Sequence, residues 1–546
     1  MRSPTTYEKD YSSYGGISID PKDPKHIVVS TLGKYTGRHL AKNAKGEERD
    51  NYGDRIYTTT DGGKTWIHGQ HYGDGINIDA NGTDWIPGNA IHWAGSLEIN
   101  PFDNKQAWVT SGNGIFMTDD ITAKVPVWKF MSRGIEETVP LDIVSIPGGP
   151  LVTAIGDYDG AVYTDINASA QRHTPTVGST ESMAFAPLSG SLLRTGVITV
   201  YGQYESINYN VMYRSDDMGK TWDSVKTTLK GPKGMVVLSA DGKVMLHRPE
   251  MGSTTYRSAD NGATWTAVEL DGGQTQNSRI VADPVNPDVF YVMDAQANLY
   301  RSDDGGKSFA KYGARLQNDA AGEYYNGGGL IRTVPGREGH VWVPMDQAQM
   351  WLPKGFSENG GKDWTRCEGA KTAIAVGIGK AKEGADYETI FIWGAAKEDD
   401  PIGIYRSTDK CKTFERINDD KHQFGGPGNG NFVQGDMNNF GVVYMSTVGR
   451  GTIVGAPEGT EFFTVCAARQ AANFVPSLQL EKRLLHVTAP AGSTLSLFAV
   501  TGKAVLSKQV AGLAHVSLES LPAGRYVAKL LDARGKILAN KFVTLK

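Results

Sequence analysis

Apolar residues fall along this chain in short runs, four to six long, separated by polar turns about every ten residues. Ile27-Val28-Val29-Ser30, Ala107-Trp108-Val109-Thr110, Val289-Phe290-Tyr291-Val292-Met293 and Val341-Trp342-Val343 are examples. They are rich in β-branched and aromatic residues and lack the i, i+3, i+4 spacing of an amphipathic helix, so the pattern predicts β-strands. Turn clusters such as Asp20-Pro21-Lys22-Asp23-Pro24 and Asp283-Pro284-Val285-Asn286-Pro287 precede several of them. No apolar run approaches the roughly 20 residues of a membrane-spanning helix.

One phrase organises the strands. Ser/Thr-x-Asp-x-Gly-x-Thr/Ser-Trp/Phe occurs at Thr59 to Trp66, Ser215 to Trp222, Ser258 to Trp265 and Ser302 to Phe309. Altered copies run from Ser357 to Trp364, with Asn359 for the Asp, and from Ser407 to Phe414, with Cys411 for the Gly. Successive closing aromatics lie 156, 43, 44, 55 and 50 residues apart. The first gap holds room for two further units, for which Ile115 to Asp120 and Ala161 to Asp165 are the candidates. In each copy the Asp accepts backbone N–H groups across a hairpin turn and the Gly takes a conformation other residues resist. The aromatic packs under the next strand. A period of 43–55 residues with several strands per period predicts an all-β fold of propeller blades. The phrase resembles the Asp box, or BNR repeat, of sialidases and sortilin-type receptors. Its Asp is expected to be structural and to bind nothing.

Composition narrows the function classes. Of 546 residues 66 are Gly, about 12% against roughly 7% in an average protein, which the turns absorb. The formal net charge of −4 offers no basic field for nucleic acid or an anionic membrane. Three cysteines, Cys367, Cys411 and Cys466, are too few and too scattered for a disulfide framework or a zinc cluster. No cofactor or metal is expected.

After about Pro457 the repeat stops. Residues 458–475 read as a linker and 476–546 as alternating strands of a small β-sandwich. Phe498 to Leu506, Leu518 to Leu530 and Lys541 to Lys546 resemble the sorting domains that end proteins exported by the type IX route, with secretion machinery as the implied partner. The N-terminus has no apolar signal segment. The expectation is an extracellular or cell-surface protein whose beginning is missing from this sequence.

Longer stretches are more specific than the turn phrase. Tyr14 to Thr31, Ser96 to Asp120, Gly134 to Gly160, Ser239 to Glu250, Arg337 to Val343 and Ile404 to Gly425 follow in order and resemble the later part of glycoside hydrolase family 74, the xyloglucanases and related endo-β-1,4-glucanases. The resemblance covers about residues 12–457. It implies two seven-bladed propellers clasping a β-glucan, with one carboxylate from each and inversion of the anomeric centre. Inverting geometry sets the carboxyls roughly 6.5–9.5 Å apart. Nine blade-like units are legible: residues 1–84 as the end of a first propeller, 85–430 as a propeller, 431–457 as its closing strands.

The resemblance places one catalytic carboxylate at Ser96, inside Gly95-Ser96-Leu97-Glu98-Ile99-Asn100-Pro101-Phe102. A hydroxyl cannot act as general acid near neutrality. Glu98, two residues on and on the same strand face, is a substitute candidate. Asp157 and Asp159, in Gly156-Asp157-Tyr158-Asp159-Gly160, resemble the family's other carboxylate loop and are equally compatible with plain turn chemistry. A glucan needs aromatic faces and polar edges. Trp85, His92 and Trp93 in the loop-like segment 84–93, together with Ser96, Tyr158 and Trp351, are the candidate binding residues, with core packing as the alternative for each Trp. Two functions follow: a polysaccharide hydrolase acting on xyloglucan or a related β-1,4-glucan, or a glycan-binding propeller that has lost its acid.

Overall fold

The computed structural model describes residues 13–546 apart from 33–39, 43–47, 51–52, 69–76, 84, 87–88, 169, 202–205, 228, 230–233, 250–253, 271–278, 295–297, 315–330, 345–354, 463–476 and 533–534. The described residues contain strands, turns and no helix, as the strand patterning requires. They form two compact units.

The first unit comprises residues 1–138 with 198–209 and 449–451. Its four-stranded sheet runs Ser13–Ile19, Ile27–Leu32, Ile56–Thr59, Ile67–His68. A second sheet orders Leu97–Ile99, Ala107–Ser111, Gly114–Thr118 and Val127–Phe130 as an antiparallel meander, with Asn77–Asp79 added parallel to the last strand. The expected boundary between residues 84 and 85 therefore falls inside one sheet, because Asn77–Asp79 pairs with a strand 50 residues on. Val28, Ile56, Leu97, Val109, Phe116, Trp128 and Phe130 share one buried core.

In the second unit seven sheets follow one another in chain order before the C-terminal strands, among the described residues. One edge strand of each is Val139–Ser145, Ser179–Ala186, Gly234–Leu238, Ile280–Ala282, Arg332–Thr333, Thr372–Gly379 and Val433–Gly435. Residues of all seven line a single cavity, so these strands are the innermost of a ring. The ring closes where the seventh sheet meets the first. Met437 N donates to Ser145 Oγ at 2.9 Å, Asn438 Nδ2 to the Ile146 carbonyl at 3.0 Å, and Gly148 N to Asn438 Oδ1 at 2.6 Å. The first unit adds its two larger sheets and a two-stranded sheet of Leu40–Lys42 and Glu48–Asp50.

The recurring phrase builds the hairpin between the third and fourth strands. Thr59 Oγ1 donates to Asp61 Oδ1 at 2.8 Å and accepts Gly63 N at 3.0 Å, while Asp61 Oδ2 accepts Thr65 Oγ1 at 2.6 Å. The same three contacts recur around Asp217, Asp260 and Asp304. These donors pull the carboxyls below the usual range, Asp260 to about 2, chiefly through Thr264. Trp222, Phe309 and Trp364 are buried behind the turns. Each Asp is consumed by its own turn.

The cysteine expectation needs correction. Cys367, just after one phrase, is disulfide-bonded to Cys411, which stands in the Gly position of the next. Neighbouring blades bring the two together although 44 residues separate them.

The C-terminal strands Ser477–Glu481, Leu484–Ala499, Ala504–Ser517, Gly524–Leu531 and Ile537–Leu545 have their own core, including Leu485, Leu495, Leu497, Val516, Leu518, Ala528 and Leu530. The long strand Leu484–Ala499 pairs with Ser477–Glu481 through its first half and with Gly524–Leu531 through its second, so one sheet folds over its own apolar face. No helix is long and apolar enough to cross a membrane among the described residues.

Candidate functional site

In the first unit the candidates gather on the segment entering Leu97–Ile99. Leu97 and Ile99 are buried while Ser96 and Glu98 face outward, the alternation expected of a strand. Ser96 is held by its backbone: its N donates to Thr110 Oγ1 and its carbonyl accepts Thr110 N, both at 3.0 Å. Glu98 Oε2 accepts a hydrogen bond from Ser18 Oγ at 3.0 Å.

Trp93 is 55% exposed and has φ +55°. A bulky residue in the left-handed region stores on the order of 1–3 kcal/mol of strain and needs a surrounding structure that enforces it. The structure supplies one. Ser111 Oγ bridges the backbone of His92, accepting its N–H and donating to its carbonyl, each at 3.0 Å. Ala94 N donates to the buried carboxylate of Asp54 at 2.9 Å, and the Ala94 carbonyl accepts Ser30 Oγ at 2.7 Å. The His92 ring meets the Trp93 ring edge-on, centroids 5.3 Å apart, and its Nδ1 lies 3.0 Å from the Ala90 carbonyl. A Cβ on Gly112 would come within 2.6 Å of His92 Nε2 and 2.7 Å of Trp93 Cε3, so glycine there makes room for both rings. Sequence reasoning missed Asp54, Ser111 and Gly112; a glycine facing two aromatics is the one signal among them. Trp85 is different. It packs edge-on against Phe130 at 5.4 Å on the core of its unit.

In the second unit, Val139 pairs with Gly156, so the loop 157–160 lies at the end of the ring where the inner strand starts. Asp157 (φ +65°), Asp159 (φ +74°) and Gly160 (φ +122°) make the turn very tight. A Cβ on Gly160 would sit 2.0 Å from the Thr153 carbonyl oxygen. The two carboxylates part company here. Asp157 is exposed, with its N–H donated to Ser179 Oγ at 2.8 Å. Asp159 is fully buried. It accepts Thr180 Oγ1 at 2.6 Å, Val177 N at 3.0 Å and the Arg194 guanidinium. Burial pushes its carboxyl up and Arg194 pulls against it. Arg194 in turn lies against the rings of Trp222 and Tyr213, 4.7 and 5.0 Å from their centroids. Tyr158 is buried beside this network. Trp351 lies outside the described residues. No group of three His, Cys, Asp or Glu side chains is placed to hold a metal among the described residues.

Chemically, the loop presents one accessible carboxylate, Asp157, on a rigid base, and the first unit presents an accessible indole, Trp93. The chain is 29% identical over 476 residues to the xyloglucanase Xgh74A of Acetivibrio thermocellus, covering 82% of this chain and 51% of that protein. It is 28% identical to the oligoxyloglucan-reducing end-specific xyloglucanase of Emericella nidulans, covering 80% and 58%. The crystal structure of a family 74 enzyme from Niastella koreensis superimposes with a TM-score of 0.69 at 39% identity, covering 82% of this chain and 60% of that one. The chain is homologous to the family 74 glycoside hydrolases. It spans about half the length of the curated family 74 xyloglucanases it matches. Residues 210–318 also match the family model described as "Sortilin, neurotensin receptor 3", and that stretch holds the three consecutive phrases at Ser215, Ser258 and Ser302.

Proposed function

We propose that this chain acts on xyloglucan or a closely related β-1,4-glucan, as part of an exported, endo-acting, inverting polysaccharide hydrolase. The observation that carries the reading is the run of xyloglucanases among its homologues over about four fifths of the chain. Asp157, exposed on a loop that three left-handed residues hold fixed, is the carboxylate best disposed to take part. Trp93 and His92 form the stacking surface for a sugar ring. Export fits the Cys367–Cys411 disulfide, which persists in oxidising compartments. In this reading residues 476–546 are the sorting domain that engages the secretion machinery.

A second reading is favoured by Ser96: a glycan-binding propeller without hydrolysis. Ser96 faces outward where the family pattern puts a carboxylate, and a hydroxyl supplies no proton at neutral pH. Incubation of the purified chain with xyloglucan, following reducing ends and binding together, separates the two. Release of reducing ends that Asp157→Asn abolishes supports the hydrolase. Binding without release eliminates it in favour of the second reading, and absence of both sinks the substrate assignment.

A further inference from the structure

The ring of seven inner strands encloses a cavity of about 230 Å³ on its axis. Most of its wall is apolar, with Ile143, Val237, Ile280 and Ile378 contributing. Two arginines break that wall. Arg279 immediately precedes the strand Ile280–Ala282, and Arg332 is the first residue of Arg332–Thr333. Asp142, near the start of Val139–Ser145, receives Arg279 Nη2 on Oδ2 at 2.7 Å. Its Oδ2 also accepts Met183 N at 3.3 Å, and Oδ1 accepts Ile143 N at 3.0 Å.

Arg332 has one hydrogen bond among the described residues, from Nη1 to the Ile331 carbonyl at 3.0 Å. A guanidinium carries five donors. Burial, with the positive charge of Arg279, lowers it to about 9, against the attraction of Asp142. Asp283, the carboxylate that lines the wall, is engaged by backbone and tyrosine donors rather than by either arginine. These are Val285 N, Asn286 N, Tyr291 Oη and Gly339 N. Two half-buried guanidiniums therefore line a largely apolar cavity, and one of them, Arg332, has no ion pair among the described residues.

We infer that the axial channel is an anion site, in which Arg332 and Arg279 hold a small carboxylate of sugar-acid size. A guanidinium fork matches a carboxylate with two parallel N–H···O bonds. The Arg279–Asp142 pair lies near the starts of the inner strands, the end of the ring that carries the Asp157 loop. The site requires no hydrolysis and stands or falls separately from the assignment of xyloglucan.

Calorimetric titration of the whole chain with glucuronate at constant ionic strength tests it, with glucose as the uncharged control and acetate as competitor. Saturable glucuronate binding that acetate displaces is expected, with no heat from glucose beyond dilution. Arg332→Met, with the same circular dichroism and melting temperature as wild type, should weaken binding at least tenfold, and Arg332→Lys should retain part of it. No saturable binding in the wild type, or unchanged affinity in Arg332→Met, overturns the proposal. If Arg332→Met does not fold, the wild-type competition decides: glucuronate binding that acetate fails to displace is equally fatal.

Discussion

The Arg194 guanidinium closes on the Asp159 carboxylate with both side chains out of water, 1% and 0% exposed. Two neutral donors, Thr180 Oγ1 and Val177 N, complete the carboxylate. Removing one partner of such a pair strands the other charge and costs about 3–5 kcal/mol. Arg194→Met should lower the unfolding free energy of the second unit by that amount in urea titrations, and Asp159→Asn by somewhat less, since the amide keeps the shape. A proton donor to substrate would behave otherwise: Asp159→Asn would abolish turnover and leave the urea midpoint in place.

Two histidines make stability depend on pH. His173 is fully buried with Nε2 3.0 Å from the Thr153 carbonyl, and burial reinforced by Arg194 lowers its pKa to about 3. His247, also fully buried, is lowered by burial to about 4. In the unfolded chain both titrate near 6.5. Below that pH the unfolded state binds protons that the folded state refuses, so stability falls as pH drops from about 6.5 towards 4. Calorimetric melting should show a steady decline over this window. His173→Gln should flatten it, at some cost in stability at pH 7 where the ring packs on Trp222 at 5.2 Å. An unchanged slope in that variant would refute the assignment.

The fold was legible because its signals are local. A Ser, an Asp two residues on and a Gly four residues on close one another's hydrogen bonds, so the turn can be read without knowing its neighbours. The site was legible only in outline. Asp157 and Asp159 are two residues apart in the same glycine-flanked loop, and what makes one exposed and the other buried is Arg194, 35 residues later. Trp85 and Trp93 share one loop-like segment, yet Phe130 draws the first onto the core while Ser111 and Asp54 hold the second outward. The disulfide escaped notice because its spacing is one blade, and only the ring makes residues one blade apart neighbours.

That disulfide should matter to stability. Closing a separation of 44 residues restricts the unfolded chain by up to about 4 kcal/mol in the chain-entropy account. Reductant should lower the melting temperature of the wild type and leave Cys367→Ser unaffected. Cys411 stands at φ +65° in a position its sister turns give to glycine. Cys411→Gly should therefore lose the cross-link but relieve the backbone, and cost less than Cys367→Ser. Equal losses would mean that the left-handed position carries no strain.

Trp85 and Trp93 give a test that separates packing from recognition. Trp85→Ala removes a partly buried ring packed on the core of its unit and should cost up to about 3 kcal/mol in urea titrations, the low end for a Trp truncation. Trp93→Ala removes a ring that is 55% exposed and should shift stability by less than about 0.5 kcal/mol. Its effect should fall on binding, with xyloglucan affinity down about tenfold, or ~1.4 kcal/mol. Gly112→Ala is the sharper probe, because it leaves the indole in place. A Cβ there meets His92 and Trp93 at 2.6 and 2.7 Å and must move the rings. If the placement of the two rings is what a sugar stacks on, Gly112→Ala weakens xyloglucan binding nearly as much as Trp93→Ala. If affinity survives both changes while Trp85→Ala merely destabilises, the stacking surface lies elsewhere.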